Sequence, residues 1–139
     1  MAITSAVKLS PTHKNTAVGQ FKDTGTVKKT AVNLGFVPRY VKLIDLTNND
    51  TYEWFEGMAA DSAFKSVDAG DQSLVTSNGI TVGALNTGTV STWTVYDQTV
   101  ATDSGDSSHL NAAQEVVVGF NLPAAVVVSS GQFAFIAHE

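Results

Sequence analysis

The chain has 139 residues, no cysteine, 15% charged residues and a formal net charge of -5. A disulfide framework and cysteine-based zinc sites are thereby excluded. Nucleic acid and anionic membrane are disfavoured as partners, because both need clustered Lys and Arg to neutralise phosphate.

Residues 1–15 are polar, contain Pro11 and carry Lys8, His13 and Lys14. They read as an extended, mildly basic N-terminal arm rather than core. The start of the chain lacks the charged entry and long apolar stretch of a signal peptide. The longest apolar runs, Ala124 to Val128 and Phe133 to Ala137, are far short of the ~20 residues that span a bilayer. An aqueous setting is therefore expected.

From Thr16 the pattern is β. Val18, Gln20, Phe21 and Lys22 form a first strand, Thr24-Gly25 offers a turn, and Val27 to Leu34 resumes. Gly35 breaks the pattern, and Pro38 imposes an extended entry on the residue before it. Arg39 to Leu46 is the clearest strand. Val41, Leu43 and Asp45 share one face; Tyr40, Lys42, Ile44 and Leu46 share the other. Apolar residues on both faces predict an interior strand. Thr47-Asn48-Asn49-Asp50 has turn chemistry, and Thr51 to Glu56 returns, giving a hairpin over 39–57.

Gly57-Met58 ends that strand, and Ala59 to Phe64 reads as one helical turn. Ala69-Gly70-Asp71 and Ser77-Asn78-Gly79 read as turns around a short strand at Gln72–Thr76, with Ile80 opening another. Val90 to Tyr96 alternates, with Val95 and Tyr96 on opposite faces. Residues 101–109 form a Ser/Asp/Gly loop. Glu115 to Leu122 is a strongly apolar strand stopped by Pro123. Ala125–Val128 and Gln132–Ala137 read as a closing hairpin. Eight to ten short strands with frequent turns predict an all-β fold over 16–139, a single-domain β-sandwich or jelly-roll-like barrel.

Catalytic signals are absent. There is no Gly-x-Ser-x-Gly elbow. His13, His109 and His138 fall in the arm, a loop and the C-terminus, where a general base is poorly held. Glu53 and Glu56 are three apart on a strand, so they face opposite ways and cannot act as a carboxylate pair. Asp103 to His109 offers oxygen ligands for a cation, without the spacing or closing Glu of an EF-hand loop. Asn49-Asp50-Thr51 matches a glycosylation acceptor without a secretion signal beside it. No catalytic, cofactor or metal residue is expected, and the chain reads as a non-enzyme. The aromatic cluster Tyr52, Trp54 and Phe55 is the most informative feature. Alternation places Tyr52 and Trp54 on one face and Phe55 on the other. Core packing accounts for Trp54, while Tyr52 or Phe55 suits a subunit interface.

Two blocks carry a resemblance. The first runs Gly35-Phe36-Val37-Pro38-Arg39-Tyr40-Val41-Lys42, then Asp50-Thr51-Tyr52-Glu53-Trp54-Phe55-Glu56-Gly57-Met58. The second runs Ser77-Asn78-Gly79-Ile80-Thr81-Val82, then Gly119-Phe120-Asn121-Leu122-Pro123 and Ser130-Gly131-Gln132-Phe133-Ala134-Phe135-Ile136-Ala137. Their order over 35–138 resembles small structural proteins of tailed bacteriophages, of the head decoration or cement type. The resemblance implies a virion protein made in the host cytoplasm and placed on the outer capsid surface. It further implies a homotrimer that bridges major capsid protein subunits, with no cofactor. Tyr52, Trp54, Phe55, Met58, Lys8 and Lys14 are then the candidate subunit or capsid contacts. The alternative is a tail or head-fibre component that binds host receptor or carbohydrate, with aromatics exposed at a loop end. A small hydrolase on a jelly-roll scaffold would need a convergent set of ionisable residues, which the sequence lacks.

Overall fold

A computed structural model describes residues 15–22, 29–86, 93–97, 116–127 and 131–139, and every regular element among them is a β-strand. The strands are β1 (Thr16–Lys22), β2 (Lys29–Asn33), β3 (Tyr40–Asp45), β4 (Asp50–Phe55), β5 (Ser62–Ser66), β6 (Gln72–Asn86), β7 (Trp93–Asp97), β8 (Val116–Leu122) and β9 (Gln132–His138). They form one sheet in the order β1-β9-β3-β4-β5-β6-β8-β2-β7. Strands β3 to β6 meander, each antiparallel to the one before. Strand β9 returns between β1 and β3, and β8 lies between β6 and β2. Strand β7 adds to the far side of β2 in parallel. The sheet's two ends approach each other, with the Phe21 ring of β1 5.8 Å from the Tyr96 ring of β7. The result is a nearly closed, barrel-like all-β fold, as the strand pattern predicts.

The long strand β6 makes the corner. Gln72 to Ile80 pairs with β5, and Thr81 to Asn86 pairs with β8. One half of the barrel is thus six strands, β1-β9-β3-β4-β5-β6, and the other is β6-β8-β2-β7. Ser77-Asn78-Gly79 does not end a strand as expected. Pairing jumps from Ala63↔Val75 to Ser62↔Ile80, so the intervening residues bulge and the strand continues. The turn chemistry serves the bulge instead: Asn78 takes a positive φ of 58°, and the Gly79 amide donates to Asp61 O at 3.1 Å.

Two other expectations are corrected. Ala59 to Phe64 is not a helical turn; Ala59 to Asp61 lead directly into β5. The Trp54 indole and the Ser62 hydroxyl both donate to Ala59 O, at 3.3 and 2.5 Å, which pins this corner to the core. Among the described residues the closing hairpin does not form either. Ala124 to Val126 form a turn, Val126 and Val127 are buried, and Gln132–His138 pairs with β1 and β3. Non-local pairing with two earlier strands outcompetes the local partner.

The interior is strongly aromatic. Phe21 stacks on Phe133 at 5.2 Å, and Phe135 meets Tyr96 and Phe120 edge-on at 5.7 and 5.5 Å. On the opposite face of β2, β7 and β8, Ala31, Val95 and Val117 are also buried. The second half-sheet is therefore covered on both sides, and Val95 and Tyr96 do face opposite ways. Buried Asp45 closes the β3–β4 turn: Oδ1 accepts from the Thr47 and Asn48 amides at 2.9 and 3.0 Å, and Oδ2 from Asn48 Nδ2 at 3.0 Å. That satisfies a carboxylate which burial would otherwise penalise.

Candidate functional site

Strand alternation sends every second residue of the six-stranded half-sheet outward. Ala17 and Phe21 of β1, Val41 and Leu43 of β3, and Tyr52 and Trp54 of β4 point inward and are buried. Their neighbours make the outer face. Cross-strand register aligns these neighbours in rows. The central row runs Val18, Ile136, Lys42, Glu53, Phe64, Leu74. A second row on one side runs Thr16, His138, Tyr40, Phe55. On the other side, Gln20, Ala134, Ile44, Thr51, Ser66 and Gln72 are aligned.

This face is apolar for a solvent surface. Val18 is 70% exposed, Leu74 64%, Phe55 49% and Phe64 37%. They are four of the six exposed large hydrophobic residues in the described part of the chain. Concentration on one face matters more than number, since scattered apolar residues need no explanation and clustered ones mark interaction sites.

The sequence-derived candidates separate. Tyr52 and Trp54 are core residues, which corrects their reading as possible contacts: alternation turns both into the barrel interior, where the Trp54 indole reaches Ala59 O. Lys65 stands over the Tyr52 ring at 5.1 Å and 3.6 Å from Asp50. Phe55 is exposed on the outer face, packed on Tyr40 with ring centroids 5.1 Å apart. Met58 is half-buried beneath it, its sulfur 3.2 Å from the Phe55 amide. Lys8 and Lys14 lie outside the described residues, as does the 101–109 loop. The residues missed were Val18, Phe64, Leu74 and Ile136. Each is unremarkable alone, and only strand pairing aligns them with Lys42 and Glu53.

Polar contacts order the rim of the patch. The Tyr40 hydroxyl donates to Glu53 Oε2 at 2.7 Å, and His138 stacks beside Tyr40 at 5.8 Å while its Nδ1 lies 3.0 Å from the Thr16 hydroxyl. Arg39 pairs with Glu56, so Glu53 and Glu56 serve different partners. Partial burial, then the hydrogen bond to Glu53 and its charge, push the Tyr40 phenol from 10.0 up to about 12. The folded value lies above the unfolded one, so this contribution to stability is complete below pH 10 and is lost as pH rises toward 12. The stability difference between wild type and Tyr40→Phe is expected to shrink across that window. Denaturant titrations below pH 10 and near pH 12 check it.

Comparison with known proteins finds no matching family model, no similar curated protein and no similar solved structure. The described residues enclose no pocket and hold no group of three His, Asp or Glu placed for a metal ion. Among them, the outer sheet face is the feature with the strongest demand for a partner.

Proposed function

We propose that this chain is a non-enzymatic structural protein of a bacteriophage particle that decorates the outer capsid surface and stabilises it by binding the major capsid protein. The resemblance over 35–138 supports the particle. The observation that carries the assembly role is the apolar outer face, with Val18, Phe55, Phe64 and Leu74 exposed together. Such a patch is costly in water and is relieved by protein contact.

A decoration protein binds only the assembled shell, so each bound copy shifts the equilibrium away from disassembly. Many modest contacts suffice when they are repeated over the shell. The basic arm, with Lys8 and Lys14, is assigned to the capsid contact. The test is a sedimentation assay with undecorated capsids. Saturable binding is expected, with removal of residues 1–15 weakening it while the circular dichroism of the domain is unchanged. Failure to bind capsids, or selective binding to a glycan array, would overturn the proposal.

A further inference from the structure

We propose that two copies of this chain pair face to face through the outer side of the β1-β9-β3-β4-β5-β6 sheet, about a two-fold axis running along the strands between β3 and β4. The inference comes from the order of residues across the face. The central row reads Val18, Ile136, Lys42, Glu53, Phe64, Leu74, which is apolar, apolar, base, acid, apolar, apolar. A two-fold axis in the interface plane, parallel to the strands, lays this row on its own reverse. Lys42 of one copy then faces Glu53 of the other, twice. Ile136 faces Phe64, and Val18 faces Leu74.

The flanking rows obey the same operation. Tyr40 and Phe55 are register partners on β3 and β4, so each faces the other across the axis. Ile44 faces Thr51, Ala134 faces Ser66, and Gln20 faces Gln72. No like charges meet: Lys42 is the only lysine or arginine in the three rows, and Glu53 the only acid. An isologous contact requires a patch complementary to itself, and this arrangement is one.

Sheets pack face to face about 10 Å apart, with strands inclined by roughly 30°. The inclination and the barrel's curvature bring the central strands closest. The contact is therefore centred on Lys42, Glu53, Tyr40 and Phe55, with Ile136 and Phe64 around them. Lys42 makes no ion pair within 4.0 Å among the described residues, so its ammonium is available to the partner. The outward arrangement of the pair on β3 and β4 also permits charge reversal without entering the core.

This two-fold pairing is proposed in place of the threefold assembly that the resemblance implies; it covers the outer face with a second copy, leaves the capsid contact to the N-terminal arm, and does not rest on the capsid role. Light-scattering mass is the direct readout. Wild type is expected at twice the 14.6 kDa chain mass. K42E sets acid against acid at both contacts, and E53K sets base against base. Each is expected to raise the dissociation constant at least about tenfold, giving monomers. Phe64→Glu is expected to do the same by burying a charge. An equimolar mixture of K42E and E53K restores both base–acid contacts across the axis and is expected to return to the dimer mass. Circular dichroism verifies that each variant is folded. A wild-type mass other than twice the chain, folded charge variants that remain dimeric, or a mixture that stays monomeric would each overturn the pairing.

Discussion

Phe135→Ala is expected to lower stability by about 3–5 kcal/mol, the usual cost of removing a buried phenylalanine. Phe135 is 3% exposed and touches Phe21, Tyr96 and Phe120, with ring centroids 6.4, 5.7 and 5.5 Å away. Those rings come from β1, β7 and β8. The side chain therefore ties β9 to both ends of the sheet, where β1 and β7 are not paired with each other among the described residues. Its loss leaves a cavity where the barrel is nearest to closing, at a gap that no pairing of β1 with β7 bridges among the described residues. Against a typical stability of about 5–15 kcal/mol the loss is severe. Thermal unfolding followed by circular dichroism should show a midpoint roughly 10–20 °C lower. A shift of only a degree or two would mean that the aromatic cluster does not hold the barrel closed.

Gly119→Ala is the second large effect, and its cause is collision rather than cavity. Gly119 lies in β8 between Asn33 of β2 and Gly83 of β6. A β-carbon there would sit 2.2 Å from Val32 O and 3.0 Å from Leu34 N. Both are backbone atoms, so no side-chain rotation relieves the overlap. The obstructing segment is itself held down, because the Leu34 and Gly35 amides both donate to Val118 O at 2.8 and 3.0 Å. Relief requires β2 to move off β8. The cost is expected to be about 3 kcal/mol or more, with a melting midpoint lowered by roughly 10 °C. Because β2 carries β7, local amide exchange in β2 should rise more than in β3 or β4. Uniform exchange across these strands would contradict this account.

The sequence was readable where the physics is local. Alternation in Arg39 to Leu46 marked an interior strand, and β3 is flanked on both sides by β9 and β4. The Thr47–Asp50 turn chemistry marked the hairpin, now seen to be closed by Asp45. The opposition of Trp54 and Phe55 follows directly from a two-residue period. Reading failed where a local signal met a distant partner. Ser77-Asn78-Gly79 looks like a turn, yet the pairing of Ile80 with Ser62 carries the strand through it as a bulge. Gln132 to Ala137 looks like half of a hairpin, yet β1 and β3 take it. Local chemistry sets which backbone angles are easy; it does not say which strand supplies the hydrogen bonds.

The amino-acid order alone determined that this chain forms short extended segments with one side apolar, and it limited the charge and metal chemistry open to them. Tertiary structure decided the rest. It put Tyr52 and Trp54 inside, and it drew Val18, Ile136, Lys42, Glu53, Phe64 and Leu74 from six strands into one row. The reason is that a strand's period of two is written in neighbouring residues, whereas a sheet's register is a contest among all strands for the same partners.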